Sequence, residues 1–136
     1  MLVNAVNERA AQQAEALAWL KAALGGGEPV GIAWNVALAY LRLTTNPSIF
    51  AEPKPAEEAA GDLEAWLNEP HVVVVEPTRR HLPLLRGLLS SAGTAGKLVN
   101  DAHLAALALE HDATVVSFDR DFGRFEGLRW RLPGAG

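Results

Sequence analysis

The hydrophobic pattern along the chain switches repeatedly between helical spacing and short apolar runs. From Glu8 to Leu24 the spacing is helical, with Leu17, Leu20 and Leu24 at i, i+3 and i+7. Gly25, Gly26 and Gly27 then stop the helix. Val30 to Ile32 reads as a short strand. Ala33 to Leu43 reads as a helix apolar nearly all round, which predicts burial in the core or at a dimer interface. Thr44, Thr45, Asn46 and Pro47 break it, because proline lacks an amide proton and biases its predecessor toward extended backbone. Pro55 suits a first helical position, and Glu57 and Glu58 favour the positive end of the helix that runs to about Asn68. Val72 to Val75 is a β-branched run expected to be covered on both faces. Thr78 to Ala92 predicts a helix with Pro83 in its first turns, and Gly93 to Lys97 a loop. Asn100 is expected to cap a helix from Asp101 to His111. Strands are predicted at Thr114 to Phe118 and Leu128 to Arg131. Strands alternating with helices predict a three-layer α/β/α domain on a central parallel sheet, with ligands bound at the carboxyl ends of the strands.

A chain of 136 residues fits one domain, here taken as 1–136. Its 49% hydrophobic and 21% charged residues are those of an ordinary globular protein. Cysteine is absent, which removes disulfides and thiolate chemistry and is compatible with a cytoplasmic location. No apolar run reaches the ~20 residues of a membrane span, and no signal-peptide pattern is present. A formal net charge of −4 argues against a general nucleic-acid coat. It leaves room for an enzyme with local arginines, such as the cluster Arg120, Arg124, Arg129 and Arg131.

The chemistry concentrates in LVNDAHLAALALEHDATVVSFDRDFGRFEGLRW, Leu98 to Trp130. Asp101 starts a helix and Asp119 ends the strand that follows it. In a parallel sheet the connecting helix runs opposite to the strands. Eleven helical residues span about 16 Å and five strand residues about 17 Å, so the two aspartates meet on one rim of the sheet. Carboxylates gathered there repel one another unless a proton or cation intervenes. Magnesium, which takes oxygen ligands, would polarise a phosphate and lower the pKa of an attacking water. The local alternative is that Asp101 satisfies its helix dipole while Asp119 and Asp121 form a turn.

NDAHLAALA followed by a strand and SFDRDFGRF closely resembles the C-terminal half of PIN domains, especially the VapC toxins of bacterial toxin–antitoxin pairs. AYLRLTTNPSIF, Ala39 to Phe50, resembles a VapC subgroup with a TTNP signature, and the start VNAVNE extends the resemblance over nearly the whole chain. The resemblance implies a PIN-like α/β/α fold and a metal-dependent endoribonuclease. Asp101 and Asp119 would be its catalytic, metal-coordinating acids, and Asp121 an additional ligand. Magnesium is the implied ion, with manganese an alternative. The implied partners are RNA, a small VapB-type antitoxin covering the acidic cleft, and a second copy of the chain. Arg42, Thr44, Thr45 and Asn46 are candidate contacts to RNA phosphate or ribose. Their local alternatives are a surface ion pair for Arg42 and capping of the turn before Pro47 for the others.

The chain departs from the family pattern twice. PIN domains open with a strand ending in an aspartate, whereas MLVNAVNE resembles the text after that motif, so most of the first strand is expected to lie before Met1. Ala39 stands where many members carry a helix glutamate, and no acid lies between Gly31 and Phe50. These departures keep a second function open, a catalytically degenerate PIN domain that binds an antitoxin and dimerises. A third is a metal-dependent phosphatase or DNA nuclease on the same rim. His103 is a candidate for a supporting role beside Asp101, and Arg120 for offsetting the repulsion between its neighbouring aspartates. Trp19, Trp34, Trp66 and Trp130 are expected in the core or at an interface. The histidines lack zinc-site spacing, Gly93 to Lys97 is not a full phosphate loop, and no G-x-S-x-G elbow is present.

Overall fold

The structure, a computed structural model, describes residues 2–4, 18–19, 21–23, 25–26, 28–93 and 96–133. Among the described residues five parallel strands form one sheet in the order β3-β2-β1-β4-β5. They are β1 (Leu2–Asn4), β2 (Val30–Ile32), β3 (Val72–Val74), β4 (Thr114–Val116) and β5 (Trp130–Arg131). The helices are α1 (Trp34–Thr44), α2 (Ala56–Leu67), α3 (His81–Ala92) and α4 (Val99–Glu110), with 3-10 turns at Gly96–Leu98 and Arg120–Arg124. Most of the helix expected over Glu8 to Leu24 lies outside the described residues; 18–19 and 21–23 are helical.

Two cores account for the layers. Val30, Ile32, Ala37, Tyr40, Ala59, Leu63 and Val72 form one, built from β2, β3, α1 and α2. The other draws Leu88 from α3, Ala102, Leu104, Ala105, Leu107 and Ala108 from α4, Val115 from β4, and Phe122 and Phe125 beyond it. The small residues at 102, 105, 106 and 108 are all buried, so α4 is covered over most of its circumference. In the first core the Tyr40 and Trp66 rings meet edge to face, centroids 5.0 Å apart, a geometry worth about 0.5–1.5 kcal/mol beyond area burial. The Tyr40 hydroxyl donates to Asp62, which also pairs with Lys54, so α1, α2 and their connection are tied at one carboxylate.

Several expectations are corrected. The Val72 to Val75 run supplies β3, an edge strand among the described residues, and Val73 is half exposed rather than covered on both faces. Of the two placements expected for helix α1, the core takes only one side of it: Val36, Ala37, Tyr40 and Leu43 face inward, while Trp34 and Leu38, one turn apart, are 52% and 58% exposed in the single chain. Trp34 is therefore outside the core of the single chain, whereas Trp66 packs against the first core and the Trp130 indole donates to the Ser117 carbonyl at 3.1 Å. Asn100 does not cap α4, because a 3-10 turn leads directly into the helix and places Asn100 within its first turn. Thr78 stands outside α3, its amide and hydroxyl both donating to Glu110. Gly93 closes α3 with φ 74, the left-handed conformation that lacks a Cβ penalty only for glycine.

Leu2–Asn4 is itself the central strand, paired with β2 on one side and β4 on the other, and Asn4 is in register with Val116. Where the resemblance expects a strand ending in an aspartate, this one ends in Asn4.

Candidate active site

The strand order reverses at β1. The chain moves outward through β2 and β3, then returns across the sheet to β4 on the other side of β1. In such sheets the crevice at the carboxyl ends of the strands flanking the reversal is where ligands bind. β4 delivers Ser117, Phe118 and Asp119 to that edge, and α4, running back toward β4's start, begins there with Asp101 in its first turn.

Two local turns fix the carboxylates. The Asp119 amide donates to the hydroxyl of buried Ser117 at 3.0 Å, and the Asp121 amide donates to Asp119 Oδ1 at 2.9 Å. Ser and Asp side chains favour such turns because each mimics a backbone acceptor two residues ahead. Phe122 drops into the core beside them and anchors the Arg120–Arg124 turn. As a result Asp101, Asp119 and Asp121 bring carboxylate oxygens within 4.8 Å of one another, all partly exposed.

Burial pushes the Asp101 carboxyl up to about 7, assisted by the charge of Asp119, a hydrogen bond with it, and the charge of Asp121. The cluster therefore holds a proton near neutrality or requires a counter-charge. The ion pair present is weak, Arg124 to Asp121 at 3.9 Å with both groups substantially exposed. It involves Arg124 rather than Arg120, the residue expected to offset the repulsion. An all-oxygen donor set of this kind fits magnesium or manganese.

The other anticipated residues lie at the last turn of α1 and just beyond it. Arg42 is in the last turn of α1 and exposed, about 12 Å along the helix from its first turn. The Thr44 and Thr45 hydroxyls donate to the carbonyls of Tyr40 and Leu41 at 2.8 and 2.6 Å, and Asn46 accepts the Ser48 amide at 2.9 Å. These are the local capping bonds. The Lys54 amide donates to the Thr44 carbonyl, holding the turn against the chain entering α2. His103 points to α3 rather than to Asp101: its Nδ1 is 2.9 Å from His81 Nε2, and His81 Nδ1 is 2.6 Å from Glu110. Sequence reasoning missed Ser117 and the His81–Glu110 pair. An S-x-D-x-D spacing was the available signal for the first; the second joins residues 29 apart and left no local trace.

The PIN domain profile matches residues 2–128. With the parallel sheet and the acidic cluster at its reversal, this places the chain in the PIN-domain family. It is 48% identical over 135 residues to Ribonuclease VapC37 of Mycobacterium tuberculosis, a match covering 99% of this chain and 94% of that protein. Ribonuclease VapC33 of the same species is 35% identical over 133 residues, covering 98% and 93%. Two solved structures share the fold. One is VapBC2 from Rickettsia felis bound to a DNA fragment from their promoter, with TM-score 0.62 at 16% identity, covering 96% of this chain and 97% of that one. The other is VapBC-1 from nontypeable Haemophilus influenzae, with TM-score 0.65 at 14% identity and 98% of each chain covered.

Proposed function

We propose that this chain is a metal-dependent endoribonuclease, the toxin of a VapBC-type toxin–antitoxin pair. The observation that carries the reading is the convergence of Asp101, Asp119 and Asp121 at the sheet reversal. Homology to proteins named VapC ribonucleases, over nearly the full length of both, supplies the substrate class. The three carboxylates would hold the divalent ion, magnesium or manganese. When bound, that ion would supply Lewis-acid polarisation of a phosphodiester and an attacking water of lowered pKa. The protein's own part is to fix the carboxylates through the Ser117 and Asp119 turns and to leave their oxygens open to solvent. Asp101, protonated without the ion, would give up its proton on binding, so occupancy increases with pH. Arg42 would contact RNA phosphate on the α1 side, with the Thr44–Asn46 turn shaping that end of the path. The implied partners are a VapB-type antitoxin covering the acidic rim and a second copy of the chain, and an RNA substrate implies a cytoplasmic location. Among the described residues no helix is long and apolar enough to cross a membrane.

A second reading has its own observations: β1 ends in Asn4, and α1 contains no Asp or Glu, with Ala39 standing where the family resemblance expects a glutamate. In it the domain binds an antitoxin and dimerises without cutting RNA. RNA cleavage by the native chain with magnesium, beside EDTA and Asp101→Asn, separates the two. Cleavage that both EDTA and the substitution abolish supports the nuclease. A native chain that does not cut, yet binds its antitoxin, supports the binding module.

A further inference from the structure

Helix α1 carries a buried acceptor with nothing to accept from. Asn35, in its first turn, has its side-chain Oδ1 covered and without a hydrogen-bond partner. Leaving such an atom unmet costs about 1–3 kcal/mol, and native structures retain few of them.

Helix geometry shows which way Asn35 faces. Trp34, Leu38 and Arg42 define the exposed side of α1, and Val36, Ala37, Tyr40 and Leu43 the inward side. At 100° per residue, Asn35 and Ala39 share one flank between these, adjacent to Val36 and Leu43 and away from Ala37 and Leu41. That flank belongs with the second core. Ala37 and Tyr40 pack with α2, whereas Ala33 and Val36, the neighbours of Asn35, pack in the core that also contains Ala102 and Phe122. Ala102 follows Asp101 directly and Phe122 follows Asp121. The first turn of α1, which follows β2, the first turn of α4 and the turn after β4 all lie at the carboxyl edge of the parallel sheet, and all three contribute residues to this core.

We infer that Asn35 is the neutral oxygen donor of the acidic site. Its carboxamide oxygen faces the bound divalent ion, directly or through a coordinated water, from the helix whose position 39 is an alanine one turn further on. The inference rests on the reading of Asp101, Asp119 and Asp121 as a metal site and extends it to a residue on α1. A carboxamide oxygen is a suitable ligand for a hard cation and adds no repulsion to three crowded carboxylates. It explains why a buried acceptor is left unpaired in the protein alone.

The test is Mn²⁺ titration of the full chain, followed by electron paramagnetic resonance of the free ion. Native chain, Asn35→Ala, Asn35→Asp and Asp101→Asn would be compared, with melting temperatures measured in EDTA and in Mn²⁺. Asn35→Ala is expected to weaken Mn²⁺ binding roughly tenfold, with a melting temperature in EDTA equal to or above native. Asn35→Asp is expected to tighten binding and to melt lower in EDTA. Native affinity in Asn35→Ala overturns the inference while leaving the metal site standing, provided Asp101→Asn loses the ion. A lower melting temperature for Asn35→Ala in EDTA, with the Mn²⁺-induced rise unchanged, assigns Asn35 a structural role and also overturns it. A native chain that takes up no Mn²⁺ removes the metal site itself and the inference with it.

Discussion

Helix α4 ends in a carboxylate region at both termini, and the two are built in opposite ways. At its C-terminal end, Glu110 receives the amide and hydroxyl of Thr78 and pairs with His81 at 2.6 Å, its side chain covered but close beneath the surface. Burial acts to raise its pKa, but the bonds from Thr78 and His81 outweigh burial and hold it below the ordinary value. At the N-terminal end, Asp101 meets two more carboxylates and is pushed up to about 7. One helix therefore holds a carboxylate whose partners are all supplied by the chain and another whose partners repel it. The first arrangement locks α4 to the segment entering α3. The second is unfavourable in the protein alone and a cation would relieve it, the feature that sets a candidate binding site apart from a structural contact.

The strongest way to break the comparison is to neutralise the frustrated end. Asp101→Asn is expected to lower magnesium-dependent RNA cleavage by at least about 100-fold, since a metal site contributes several kcal/mol to the barrier. The same substitution should raise the melting temperature in EDTA, because it relieves repulsion. Loss of both activity and metal-free stability would mean that Asp101 is a structural residue like Glu110. Ser117→Ala probes the support of that end: removing the acceptor of the Asp119 amide should weaken metal binding roughly tenfold, read by calorimetric titration. Unchanged affinity would show that the Asp119 bond to Asp121 alone orients the carboxylate.

At the satisfied end the expectation inverts. Glu110→Ala leaves the Thr78 amide and His81 without their acceptor and should cost about 1–3 kcal/mol in urea denaturation, with magnesium-dependent cleavage within a few-fold of native. A large loss of cleavage at full stability would show that the two ends of α4 are coupled.

The sequence disclosed the frustrated end far better than the satisfied one. Asp101 and Asp119 could be brought together from element lengths alone, because a helix and the following parallel strand share an edge by construction. The parallel sheet was readable for the same reason. The His81–Glu110 pair could not be anticipated: it depends on how α3 packs across α4, and tertiary packing leaves no period in the sequence. Val73 was misplaced because apolar identity does not report position in a sheet. A valine run reads alike at an edge and in the centre. Asn35 was passed over since a lone asparagine at a helix start has an ordinary capping role, and only the unmet acceptor distinguishes it.

The finest measurement of the contrast is the pH dependence of metal-free stability. Asp101 has its folded pKa raised from 3.8 to about 7, so the folded state holds this proton more tightly than the unfolded chain. Its contribution is fully present below pH 4 and is lost as pH rises toward 7. Glu110, depressed below 4.5, contributes stability that is present above that value and lost as pH falls through its folded pKa. His103, lowered below 6.5 by burial and by the neighbouring His81, also destabilises the fold as pH falls through that range. The trends oppose one another between pH 4 and 7, so the native profile alone would be shallow. Subtracting the profile of Asp101→Asn isolates the Asp101 part. In EDTA the variant should gain a few degrees on the native chain from pH 4 to pH 7, and magnesium should erase that gain by stabilising the native chain alone. A difference that stays flat across this window would show that Asp101 titrates as an ordinary aspartate and that the end of α4 it occupies is not frustrated.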